Sequence, residues 1–116
     1  MIRVFNDSKY GTIRTAVVKG EPSFCLKDVC QMLDIKSIPE CRGKLNESGI
    51  RLIDVDEGGS RKKMLFITAD NLSGCLFQSP KAEAEQICEW LYLTVLPRLK
   101  TYVIIMWSNL KIQMLQ

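Results

Sequence analysis

Histidine is absent from this chain, and with it the side chain that most often serves as general base or metal ligand near neutral pH. No Ser/His or Cys/His pair and no HExxH metal set can be assembled. Five cysteines, Cys25, Cys30, Cys41, Cys75 and Cys88, occur without a Cys-x-x-Cys spacing. A zinc set is therefore missing, and the thiols are expected to be buried as small apolar groups. Adjacent glycines occur only at Gly58-Gly59, a turn signal and not a Walker or Rossmann loop. Asp54 and Asp56 share one strand face, a spacing common on solvated strands that gives no reason to invoke a two-metal or acid/base centre. These absences predict a non-enzyme with no catalytic residues, no metal and no cofactor.

Long apolar runs are lacking too. The opening Met-Ile-Arg-Val-Phe-Asn has no secretory apolar core, and no segment approaches the length of a membrane span, so a cytoplasmic protein without a membrane partner is expected. What is present is 116 residues, 47% hydrophobic and 25% charged, the make-up of one ordinary globular domain large enough to bury a core. The formal net charge is +3. So small a basic excess leaves nucleic-acid binding to a local cluster of cations.

The stretch from Tyr10 to Leu33 organises the rest as strand, turn, strand and helix. Thr12 to Lys19 is rich in β-branched residues, with Ile13, Thr15 and Val17 alternating against Arg14, Ala16 and Val18. Gly20-Glu21-Pro22 reverses the chain, so that Phe24 returns beside the first strand. In the helix that follows, Leu26, Val29, Cys30 and Leu33 share one face, while Lys27, Asp28, Gln31 and Asp34 fall on the other. Ile2 to Phe5 reads as a further strand, completing a three-stranded antiparallel unit.

Ser37 and Pro39 open a short helix with Cys41 and Leu45 inward and Arg42 and Lys44 outward. Two strand-like runs, Ile50 to Asp56 and Lys62 to Ile67, then form a hairpin around Gly58-Gly59. Its return strand begins Arg61-Lys62-Lys63, three cations beside a flexible tip, which is a phosphate-tracking arrangement that Asp54, Asp56 and Glu57 would partly neutralise. Thr68 is placed to cap a helix through Phe77, weakened by Gly74. Ser79 and Pro80 start the longest helix, with Ala84, Ile87, Cys88, Leu91 and Val95 as its core face, Trp90 packing, and Pro97 ending or kinking it. Beyond Tyr102, Val103-Ile104-Ile105-Met106-Trp107 is an apolar run that needs cover. Leu110, Ile112 and Met114 then alternate with polar residues, a weak strand signal with helix as the alternative. The fold class is α+β: antiparallel β-hairpins packed with short helices and one longer C-terminal helix.

In order and spacing, GTIRTAVVKGEPSF, KDVCQML, FITADNLSGCLFQS and AEAEQICEWLYLTVLPRLKTY resemble the Bro family amino-terminal domain, which prophage and viral antirepressors carry. The likeness runs from about Val4 to Tyr102, giving a domain over 1–102 and an apolar tail over 103–116. It implies a regulatory domain that binds duplex DNA. Relatives often place basic residues between Phe77 and Trp90, whereas this chain has Gln78, Pro80, Glu85, Cys88 and Glu89, with only Lys81 positive. That departure moves the expected DNA contacts to Arg61, Lys62 and Lys63, with Arg42 and Lys44 as further candidates. Asp34 stands where relatives usually end the first helix with glycine. The competing expectation is a protein-interaction module that binds a repressor or itself without contacting DNA. Val103, Ile104, Ile105, Met106 and Trp107 are the expected self-association surface of a homodimer.

Overall fold

A computed structural model describes residues 2–114, with the side chains of residues 103, 106, 107 and 110–114 outside the description. Its strands are β1 (Ile2–Asp7), β2 (Gly11–Val18), β3 (Glu21–Cys25), β4 (Ile50–Glu57) and β5 (Ser60–Thr68). Helices α1 (Leu26–Met32), α2 (Ile38–Gly43), α3 (Leu72–Gln78), α4 (Ala84–Trp90) and α5 (Leu96–Met114) complete the α+β architecture. All five strands form one antiparallel sheet in the order β1-β2-β3-β5-β4.

The β2–β3 turn follows from its residues. Lys19 and Gly20 both have positive φ, 52° and 78°, the pair that a tight hairpin turn needs. Pro22 lies opposite Val17, while the pairing of β3 with β5 covers only Ser23 to Cys25. The proline thus sits where the β5 side makes no demand on its missing N–H.

Helices cover one face of the sheet. Ile13, Phe24 and Ile67 from the strands meet Leu26, Val29, Leu33, Leu72, Leu91 and Leu99 in the main core. Burial of each such side chain stabilises by roughly 1.5–3 kcal/mol before ordering costs. On the opposite face, Ala16, Cys25, Val55 and Phe66 form a second cluster. Val55 near the β4–β5 tip joins a cluster that includes Ala16 of β2, although β3 and β5 stand between their strands, and the outer hairpin curls over that face.

Arg14 fixes the curl. Its guanidinium donates from Nε and Nη2 to the two Asp28 carboxylate oxygens at 2.9 and 2.8 Å, and its backbone N–H donates to the same carboxylate at 2.9 Å. The third guanidinium nitrogen lies 3.5 Å from Glu57 at the end of β4, and Lys27 lies 4.0 Å from that carboxylate. Asp28 is therefore buried, a correction to its expected place on the solvated helix face. Its hydrogen bond holds the Arg14 guanidinium above its ordinary pKa.

Other expectations meet a mixed outcome. Ser37 caps α2 by accepting from the Glu40 N–H at 3.3 Å. Thr68 caps nothing: its hydroxyl turns to Asp70 and the Gly49 carbonyl. The tolerance of Gly74 has a packing reason, since a Cβ there would meet Leu45 at 2.7 Å. The helix after Pro80 begins at Ala84, and the Ser79 hydroxyl before it donates to the Leu33 carbonyl and accepts from the Lys81 N–H. Its predicted core face is buried throughout.

Pro97 does not end the helix. A π turn, Leu91–Val95, widens the ladder just before it, and α5 resumes with Pro97 as its second residue, where a missing N–H is tolerated. The 19 residues of α5 replace the weak strand signal at Leu110 to Met114, and at 1.5 Å per residue they span about 28 Å. The molecule measures 53 Å along its long axis against 28 Å along its short one. Beyond Leu99 no described side chain is buried.

Asp34 adopts φ 59° in a Schellman ending, with the Ile35 N–H donating to the Cys30 carbonyl at 2.8 Å and the Asp34 N–H to Gln31 at 3.4 Å. A Cβ is strained in this left-handed position. Asp34→Gly should therefore raise stability by about 0.5–1 kcal/mol in urea unfolding, and a fall would contradict the strain. Asp28→Ala and Arg14→Ala should each cost about 2–3 kcal/mol, less than for a fully buried pair, because the guanidinium is 19% exposed. The double variant should lose less than the sum of the two, and additive losses would rule out the coupling.

Candidate nucleic-acid interface

The β4–β5 hairpin turns on two residues. Gly58 and Gly59 have φ 59° and 83°, and Glu57 pairs with Ser60 across them. Only a residue tolerant of positive φ serves at both positions of such a turn, so the glycine pair sets the length of the hairpin and the register behind it. That register places Lys63 opposite Asp54, Lys62 opposite Val55 and Arg61 opposite Asp56.

The consequence is electrostatic. Lys63 Nζ lies 3.2 Å from Asp54, and Arg61 Nε lies 3.9 Å from Asp56. Both pairs are exposed, and such pairs contribute about 0–1 kcal/mol each. Lys62 projects from the other face and makes no ion pair among the described residues. Glu57 turns away from the three cations towards Arg14 and Lys27. The tip thus presents Arg61, Lys62 and Lys63 to solvent, two of them in weak pairs that an incoming phosphate can displace.

Arg42 and Lys44 do not join this group. They lie at the end of α2 and just after it, beside the start of β4, whose eight residues place the tip about 23 Å further along the strand. Arg42 is paired with Glu47 at 3.1 Å. In the proposed self-association segment, Ile104 and Ile105 are 64% and 52% exposed. The side chains of Val103, Met106 and Trp107 lie outside the described residues.

All five cysteines are free and buried. Cys41 and Cys75 bring their sulfur atoms to 3.8 Å, and burial pushes the Cys30 and Cys88 thiols up to about 12 and about 11. Among the described residues no group of three or more His, Cys, Asp or Glu side chains is placed to hold a metal ion. None of their helices is long and apolar enough to cross a membrane.

Sequence reasoning missed Arg14, Asp28 and Asn71. Arg14 interrupting a β-branched run was the available signal, since a cation inside a buried strand needs a partner. Asn71 gave none: buried, it accepts from the Asn46 N–H at 2.9 Å and donates to the Asn46 carbonyl at 3.1 Å, pinning the entry to β4.

No curated protein and no solved structure gives a significant match to the chain. Residues 12–97, from β2 to the second residue of α5, match the model of the BRO family N-terminal domain. The match takes in α1, which carries Asp28, and the whole β4–β5 hairpin, and it covers most of the chain. The chain belongs to the BRO family and is built on its N-terminal domain.

Proposed function

We propose that this chain is a prophage or viral antirepressor-like regulatory domain, cytoplasmic and non-enzymatic, that binds duplex DNA through the β4–β5 hairpin. The observation that carries this reading is the solvent-facing run of Arg61, Lys62 and Lys63 beside a two-glycine turn. A two-stranded ribbon fits the major groove, and cations at its tip gain affinity by releasing counterions from phosphates. Membership of the BRO family supports the same reading. Arg42 and Lys44, at the far end of the hairpin, serve at most as a separate contact to the same duplex.

Titration with a mixed-sequence duplex tests it. Three phosphate contacts predict a log–log salt slope of about −3, and Lys62→Ala should reduce that slope by about 1. Replacing Arg61, Lys62 and Lys63 together by alanine should abolish most binding. Asp54→Asn with Asp56→Asn should strengthen it, because both partner cations are released to phosphate. Absence of binding at low salt, or an unaffected triple variant, would refute the hairpin as the DNA contact.

A second reading, favoured by the exposure of Ile104 and Ile105, is a protein-interaction module that binds a repressor or a second copy of itself. In it, residues 1–102 form the folded domain and Val103, Ile104, Ile105, Met106 and Trp107 on the projecting helix form a homodimer contact. Light scattering should find a dimer that becomes a monomer on truncation after Thr101. A monomer at every concentration of the intact chain would exclude the contact.

A further inference from the structure

β1 is an edge strand. Its pairing with β2 runs unbroken from Ile2↔Ala16 to Asp7↔Gly11, without the bulge or proline that commonly protects an edge. Alternate N–H and C=O groups of such a strand point away from the sheet. Outside the sheet ladders, no backbone–backbone hydrogen bond among the described residues engages β1.

That edge opens into a groove of about 890 Å³, lined along one side by all of β1 and along the other by Trp90, Thr94, Arg98 and Tyr102. A free strand edge facing a helix across a groove is the geometry in which an extended peptide adds to a sheet. Most of the lining lies outside residues 12–97, so the groove is not contained in the family match.

The charges select the occupant. Arg3 stacks on the Tyr102 ring at 4.3 Å, and Arg98 lies one helical turn before Tyr102. Neither arginine forms an ion pair among the described residues. Asp7, at the opposite end, accepts from the Lys9 and Tyr10 amides in the β1–β2 turn. The groove is cationic at one end and has Phe5, Val95 and Trp90 along its apolar part.

We propose that this groove docks an extended acidic segment of a partner protein, which adds to β1 as a sixth strand and places carboxylates on Arg3 and Arg98. Strand periodicity makes every second peptide side chain face the helix, so an acidic residue next to Arg3 is followed two positions later by an apolar one. The six residues of β1 accommodate a segment of about 20 Å. Neither arginine belongs to the hairpin, so this inference stands or falls independently of DNA binding.

Fluorescence anisotropy on the full chain tests it with a labelled peptide matched in length to β1, in which glutamate and valine take turns at every second position with threonine between them, so that both lie on one strand face. The peptide should bind. Its lysine–valine counterpart and a version N-methylated at alternate residues should bind at least about tenfold more weakly, the scale of losing charge-assisted or ladder hydrogen bonds. Arg3→Ala with Arg98→Ala should weaken binding by about tenfold at an unchanged melting temperature. If that double variant does not fold, Arg98→Ala alone should give a smaller loss in the same direction. Bound peptide should slow amide exchange at Ile2 to Asp7. The proposal is overturned if the peptide does not bind, if the lysine peptide or the arginine variants bind equally well, or if exchange slows elsewhere. Tighter, arginine-dependent binding of an oligothymidine would assign the groove to single-stranded nucleic acid instead, and self-association lost on β1 substitution would assign it to a second copy.

Discussion

One arginine holds three elements in place. Arg14 leaves the middle of β2, meets the Asp28 carboxylate in the first turn of α1 through two side-chain bonds and one backbone bond, and still reaches Glu57 at the hairpin tip. The carboxylate also complements the amino end of α1, whose N-cap residue Cys25 offers no side-chain cap. Replacing such a pair by apolar groups can be nearly neutral in stability, so its value lies in geometry. It admits one orientation of α1 on the sheet and one curl of the outer hairpin, and removing either partner strands a charge.

That curl bears on the proposed function through electrostatics. By drawing Glu57 towards Arg14 and Lys27, the network removes one acid from the neighbourhood of Arg61, Lys62 and Lys63. The two remaining acids, Asp54 and Asp56, sit directly across the ladder from Lys63 and Arg61. This arrangement tempers the tip without cancelling it, because exposed cross-strand pairs exchange readily with stronger anions. A hairpin of this kind suits the proposed salt-sensitive, weakly sequence-selective contact with a phosphate backbone.

The sequence disclosed most of this fold wherever local chemistry decides. Alternation in β2, positive φ at Gly20, the apolar stripe of α1, the Ser37 cap and the Gly58-Gly59 turn are all short-range signals, and the structure contains each of them. Expectations failed where distant partners decide. Asp28 reads as solvated on a helical wheel, yet Arg14 lies fourteen residues earlier and pulls it inward. Pro97 reads as ending or kinking its helix, and the helix does not end there: a π turn precedes it and α5 carries on. The alternation at Leu110 to Met114 leaves strand and helix both open, and the segment is helical as the end of α5. At the candidate site, the cations and their facing acids were legible, whereas the placing of Arg42 and Lys44 at the other end of β4, about 23 Å along the strand from the tip, depended on the direction of that strand.

On the proposed function, DNA meets this domain at the β4–β5 hairpin. Hydrogen–deuterium exchange, followed by fragment mass spectrometry with and without a saturating duplex at low salt, addresses it directly. The account predicts slowed exchange centred on Glu57 to Lys63, with β1 and the projecting part of α5 unchanged. Protection confined to β1, α4 or α5, with the hairpin exchanging as in the free protein, would contradict it.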